Sequence, residues 1–134
     1  MRLRRESPAF LLLPEARRTL VTLDVHTLDS DYLRISRRIT VLRPRSRGQP
    51  GASGPVPVLY LNDGQNLFEP ARAFGGNTWH AAETVNRLVR DGAIHPLLVV
   101  GIDHGELRRA REYLPVPDER NPHALRPLGR QYVE

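Results

Sequence analysis

An α/β fold is predicted for this 134-residue chain, with antiparallel strands at the amino end leading into a parallel strand-helix-strand unit that few helices cover. Three observations predict it. Two early segments, Leu20–His26 and Leu33–Val41, alternate apolar with polar residues. Two later ones, Val58–Leu61 and Pro96–Ile102, are apolar on both faces, and the stretch between them has apolar residues at helical spacing. Two buried strands joined through a helix make a crossover, and a crossover implies parallel strands.

Each element follows in order. Met1–Arg5 is basic and Ala9–Leu13 apolar, but the apolar run is too short for a signal-peptide core and stops at Pro14, so residues 1–18 read as an N-terminal extension. Val21, Leu23 and Val25 then mark the inward face of one half-buried strand. Leu33, Ile35, Ile39 and Val41 mark that of a second, with a turn at Asp29-Ser-Asp31 between them. The Gly- and Pro-rich stretch Pro44–Pro57 cannot hold regular structure and reads as a loop too short to separate domains. Val58–Leu61 looks buried on both sides, as in a sheet with helices above and below. Trp79, Ala82, Val85, Leu88 and Val89 predict a helix over Trp79–Arg90, with Trp79 in the core. Asn77 or Thr78 is expected to cap its start, and Gly92 to end it in the left-handed conformation. Beyond Pro96–Ile102 the chain turns polar, and prolines at 115, 117, 122 and 127 leave room for at most a short final helix. The whole reads as a single domain, 1–134, without internal repeats.

Composition narrows the function. At 40% hydrophobic content the chain can bury one core, yet it is small for a complete enzyme. All twenty basic residues are arginine, which we read as the codon bias of a GC-rich bacterial genome. The formal charge of +5 is uneven: residues 1–50 carry eleven Arg against five acids, residues 51–134 nine against ten. The excess sits at Arg2, Arg4, Arg5, Arg37, Arg38, Arg43, Arg45 and Arg47 without interleaved aromatic rings, so a nucleic-acid partner is not expected. An exposed strand face followed by a basic loop accounts for it better than an anion-binding edge. The absence of cysteine excludes disulfides, thiolate zinc sites and a cysteine nucleophile. No stretch approaches the roughly 18 apolar residues of a membrane span, so a membrane partner is not expected and the cytoplasm is the default compartment.

The chemistry is expected in the segment Val58-Leu-Tyr-Leu-Asn-Asp-Gly-Gln-Asn-Leu-Phe-Glu-Pro70. A plain surface turn needs only the Asp63-Gly64 pair, which tolerates positive φ; the added amides of Asn62, Gln65 and Asn66 suggest a loop that binds something. Ligands of open parallel sheets bind beyond the carboxyl ends of the strands. Asn62–Asn66 and Asp103–Arg109 both leave such ends and are expected to face one crevice. No Gly-x-Gly-x-x-Gly follows either buried strand, which disfavours a dinucleotide domain.

Pro57–Phe68, then Trp79, then Leu98-Val-Val-Gly-Ile-Asp103, then Arg109 to Tyr113-Leu-Pro115 resemble, in order and spacing, the esterase branch of the α/β-hydrolases that includes enterochelin-esterase-like and esterase-D-like proteins. The resemblance covers about residues 19–120 and corresponds to the N-terminal half of that fold, so it implies an incomplete α/β-hydrolase domain. It further implies an oxyanion hole at Asn62–Asn66, with Gly64 or Gln65 giving a backbone N–H. By the same resemblance Asp63 and Asn66 hold the loop in shape, Phe68 and Phe74 are candidates to line an acyl pocket, and Asp103, Arg108, Arg109 and Tyr113 brace the crevice rim or meet a polar substrate. The substrate class it implies is a small-molecule ester, with no cofactor and no metal.

The triad is missing from the chain. The family's serine sits in Gly-x-Ser-x-Gly, followed by an acid and a histidine. No such motif occurs; Gly51-Ala-Ser-Gly54 has the wrong spacing, which makes Ser53 a poor nucleophile. His26, His80, His95, His104 and His123 all precede the place of the family's histidine, and none forms a His-x-x-x-His metal pair. No catalytic residue is therefore assigned. The expectation is the oxyanion-loop part of a serine carboxyl-ester hydrolase, inactive and marginally stable alone. In that family's sheet order one edge of Val58–Leu61 awaits a further strand, so self-association through an unpaired edge is expected too. The alternative is a non-catalytic α/β module that binds a partner chain or an anion.

Overall fold

The computed structural model describes residues 1–12, 20–43, 55–121 and 126–133. Arg45, Arg47, Ser53, His123 and most of the expected Pro44–Pro57 loop lie outside the described residues. Among the described residues six strands form one sheet: β1 (Arg2–Arg5), β2 (Ala9–Leu12), β3 (Leu20–Ser30), β4 (Ile35–Arg43), β5 (Val58–Asn62) and β6 (Leu98–Ile102). Their spatial order is β1-β3-β4-β6-β5, with β2 also on β3. The pairs β3–β4 and β4–β6 are antiparallel, while β5 and β6 run parallel and are joined through α1 (Ala81–Arg90). A mixed α/β sheet with few helices results, built in the expected order.

The N-terminal extension contributes strands that the sequence did not announce. β1 pairs Arg5 with His26 and β2 pairs Ala9 with Leu23, so three residues, Glu6 to Pro8, stand opposite two. That extra residue is a bulge, placed where Pro8 has no N–H to give to the ladder. The arginines of this edge are largely paired: Arg5 and Arg43 both bind Asp24, at 2.9 and 2.8 Å, and Arg4 reaches Asp29 at 3.3 Å. The surplus charge is thus partly neutralised on an exposed strand face.

The core lies between one sheet face and α1. Val21 and Leu23 of β3, Leu42 of β4 and Val99 of β6 meet Leu67 and Phe68 from the loop after β5, and Ala82 and Val85 from α1. The inward face expected for β4 is corrected by its register. Leu23 lies opposite Leu42 and Val25 opposite Thr40, so Leu42 and Thr40 face the core, while Ile39 and Val41 are half-buried on the other side. That second face is used as well: Arg37 is buried there against α2 (Arg109–Tyr113), and α3 (Gly129–Val133) packs on α2.

Four further expectations are corrected. Trp79 is 56% exposed, because the helix begins only at Ala81 after His80 turns through φ 52°. Neither Asn77 nor Thr78 caps α1 by a side-chain bond to its first turn; Thr78 Oγ1 accepts from His80 N at 3.3 Å instead. The far end is as expected, with Gly92 at φ 71°. The polar stretch after β6 is also partly helical, since Leu128 N donates to Arg111 O and Gly129 N to Leu114 O, tying α3 to α2 around the prolines. Finally β5 is not a two-sided buried strand. Among the described residues it is the last strand of the sheet, and Val58, Leu59 and Tyr60 are 42%, 42% and 66% exposed.

Candidate functional site

β5 delivers its carboxyl end to a tight 3-10 turn, Gly64–Asn66, entered through Asp63 at φ 56° and ψ 44°. Asp is among the few L-residues that adopt this left-handed geometry at modest cost. Gly64 is required for a different reason. A Cβ there would stand 2.6 Å from the Gly101 carbonyl carbon and 2.7 Å from Ile102 N, so the turn sits directly on the backbone of β6. Within the turn Asn66 N donates to Asp63 O at 2.9 Å and Leu67 N to Gly64 O at 3.2 Å. The N–H groups of Gly64 and Gln65 come first in the turn, where helical geometry offers no acceptor.

The side chains around the turn fix its shape. Asp63 is buried and accepts from Arg109 Nε at 2.8 Å and Nη2 at 2.7 Å, a two-pronged ion pair, and from Tyr113 Oη at 3.2 Å. The Arg109 hydrogen bonds hold the Asp63 carboxyl below its ordinary pKa of 3.8, against the opposing effect of burial. The Arg109 guanidinium also lies 4.8 Å over the Tyr113 ring, and Tyr113 meets Tyr132 edge-on at 5.4 Å. Burial, followed by the nearby Tyr132 and the Asp63 charge, pushes the Tyr113 phenol up, so it stays a neutral donor. Tyr132 in turn donates to Asn62 Oδ1 at 2.7 Å. Asn66 staples the following loop, its Oδ1 accepting from Phe74 N at 2.9 Å and its backbone O from Trp79 N at 2.8 Å.

The two polar loops do meet. Gln65 Oε1 accepts from His104 N at 3.3 Å, across 39 residues of sequence. A cleft of about 430 Å³ lies over the turn, lined by Gln65, Asn66, Phe74, Trp79, His104 and Arg109 among others. A second of about 310 Å³ adjoins it and adds Arg72, Asp103 and Glu106. Asp103 is bonded to Arg72, so its carboxylate braces the wall. His104 Nδ1 accepts from Glu106 N at 2.8 Å, which places the proton of a neutral ring on Nε2.

Of the residues singled out in the sequence, Asp63, Gln65, Asn66, Asp103 and Arg109 border these clefts, and Tyr113 stands behind Asp63. Gly64 is buried beneath them. Phe68 is 3% exposed in the core and anchors the loop from below; Phe74, 91% exposed, reaches the cleft, as does Trp79. Arg108 points away, donating to Leu33 O at 3.1 Å. Sequence reasoning missed the cleft positions of Trp79 and Arg72, the Tyr132–Asn62 bond, and the buried Arg37–Glu112 pair. None of these carried a signal in the sequence, since the spacing of Trp79 continues the helical pattern and the others depend on long-range contacts. Among the described residues no group of three or more His, Asp or Glu could hold a metal, and no helix is long and apolar enough to cross a membrane.

No family model matches the chain, and no curated protein matches it in sequence. Among solved structures, the BES protein from Bacillus cereus is similar with a TM-score of 0.57 at 16% identity, over 83% of this chain and 40% of that one. The chain therefore spans well under half of that protein, and at this identity the likeness is one of fold.

Proposed function

We propose that this chain is the part of a serine carboxyl-ester hydrolase that carries the oxyanion loop, with nucleophile, acid and histidine supplied by residues outside it. One observation carries the reading: the Asp63–Asn66 turn at the carboxyl end of β5 is clamped by Arg109 and leaves the Gly64 and Gln65 N–H groups without partners inside the turn. Such donors stabilise the oxyanion of an acyl-transfer intermediate, and each is worth roughly 3–4 kcal/mol when preorganised. The likeness in fold to part of a larger protein supports the reading, as does the side of β5 left open among the described residues, where a nucleophile strand would add. The chain alone would then bind the acyl oxygen but perform no turnover.

The test begins with the DNA beyond codon 134. The reading expects a Gly-x-Ser-x-Gly sequence within roughly fifty codons in some frame, and p-nitrophenyl acetate hydrolysis by the chain extended in that frame. Gln65→Pro, which deletes one donor, should lower kcat in the extended chain by about 10²–10³-fold. An absent motif, turnover by residues 1–134 alone, or an unaffected Gln65→Pro variant would each count against it.

A second reading is favoured by one feature. β5 has no charged residue between Val58 and Asn62 and exposes three apolar side chains on an open edge, as an interaction module that adds a strand from another chain would.

A further inference from the structure

We infer that Arg37 and Glu112 are positioning residues for the turn at the end of β5, acting on Asp63 through α2. Their part in ester cleavage rests on the reading above; the positioning itself rests on geometry alone.

α2 has five residues, far too few to be stable on its own in water. Its direction must come from its attachments. On one side Arg109 and Tyr113, four residues apart and so on one face, both grip Asp63. Glu112 points elsewhere and accepts from Arg37 Nη2 at 2.6 Å, with side-chain exposures of 0% and 6%. Arg37 belongs to β4, where it stands opposite Leu28 of β3, and the same strand pairs with β6 from Ile39 onward, so Arg37 is fixed to the sheet. Arg108 adds a second mooring just before α2, through Leu33 O, and stands 3.7 Å from Glu112 Oε1.

Gly105 shows how closely this pair is enclosed. A Cβ there would lie 2.6 Å from both Glu112 oxygens and 2.8 Å from Arg37 Nη1, so the chain after β6 passes over the ion pair with no room for a side chain. A buried ion pair is a poor source of net stability, since an apolar pair of similar volume often does as well. What the carboxylate–guanidinium contact adds is a fixed length and direction. The line of force runs from β4 through Arg37 and Glu112 into α2, and from α2 through Arg109 and Tyr113 to Asp63. Loosening its buried end should release a turn that is held from the adjoining face of the same short helix.

The experiment follows the Asp63 side-chain carboxyl by carbon-detected NMR titration in the wild-type chain and in Glu112→Asp. The variant keeps the negative charge, so Arg37 is not left buried alone, but it is one methylene shorter. The expected result is a folded variant whose Asp63 titrates at higher pH, towards the ordinary carboxylate range, as the Arg109 bonds slacken. Amide exchange at Asn66 and Leu67, which are bonded within the turn, should quicken by about tenfold. A folded variant with Asp63 and both amides unchanged would overturn the inference, because a merely structural pair can lower stability without touching them. Should the variant fail to fold, native-state exchange of the wild type decides. The bonded amides of α2 and of the turn should then open in one step with a common free energy, and a turn that opens independently of α2 would overturn the inference. No substrate enters either measurement, so failure of the esterase reading leaves the test intact.

Discussion

Replacing Asp63 separates the two demands that the site makes on that residue, a carboxylate for Arg109 and a left-handed backbone. Asn is nearly isosteric and tolerates φ near 56°, so Asp63→Asn removes the charge and one of the acceptors while leaving the backbone unstrained. A hydrogen bond to a charged group is worth about 1.5–3 kcal/mol, but exposed ion pairs give only about 0–1 kcal/mol. The Asp63 side chain is 11% exposed and that of Arg109 48%, so the pair lies between these limits. We expect a loss of about 1–2 kcal/mol for Asp63→Asn. Asp63→Ala loses every bond and adds about 1–2 kcal/mol for an ordinary side chain in the left-handed region, giving about 3 kcal/mol in all. The assay is urea unfolding at neutral pH, comparing midpoints at constant slope, with Arg109→Met and the double variant closing a cycle. Asn as stable as wild type, Ala no worse than Asn, or a coupling to Arg109 near zero would each refute the reasoning.

Three shorter predictions follow from other parts of the molecule. Gly64→Ala should cost about 1–3 kcal/mol or more, because the atoms a Cβ would meet belong to the β6 backbone and cannot swing aside; a stability within error of wild type by urea unfolding would show that the turn stands off the sheet. Asp63 and Asp24 both have lowered folded pKa values, the latter chiefly through its Arg43 hydrogen bond, so their contribution is complete well above 3.8 and is lost as pH falls through the folded values. Tyr113, raised above 10.0, contributes fully below that pH and loses its contribution above it, and a stability profile that climbs on acidification below pH 4 would contradict the carboxylate assignments. On the open edge, Tyr60→Lys should reduce self-association seen by sedimentation while changing stability by less than about 0.5 kcal/mol; identical masses for wild type and variant would remove β5 as the contact.

The parts of the fold that were legible in the sequence are those fixed by local patterns. Val21, Leu23 and Val25 announced β3, and Gly92 announced the end of α1. The Asp63-Gly64 pair marked the turn, since one residue adopts positive φ and the other must be bare. Long-range geometry was not legible. The face of β4 depends on which residue of β3 lies opposite, and a slip of one position exchanges Val41 for Leu42 at the core. The exposure of β5 depends on its being last in the sheet, which no property of Val-Leu-Tyr-Leu reveals. Glu112 and Arg37 are 75 residues apart, and each alone reads as an ordinary surface charge. Trp79 was misplaced because helical spacing extends back to it, while the chain turns at His80 before the helix begins.

The proposed function requires that the Gly64 and Gln65 N–H groups, which have no acceptor inside the turn, receive a developing oxyanion. A ¹H–¹⁵N titration of the ¹⁵N-labelled chain with methylphosphonate, a small tetrahedral anion, tests it most directly. These two amides should show the largest shifts, in fast exchange and saturable, with Trp79 and His104 following. Amides of Gly64 and Gln65 that stay unmoved by the anion, and are protected from solvent exchange by fixed internal partners, would contradict it.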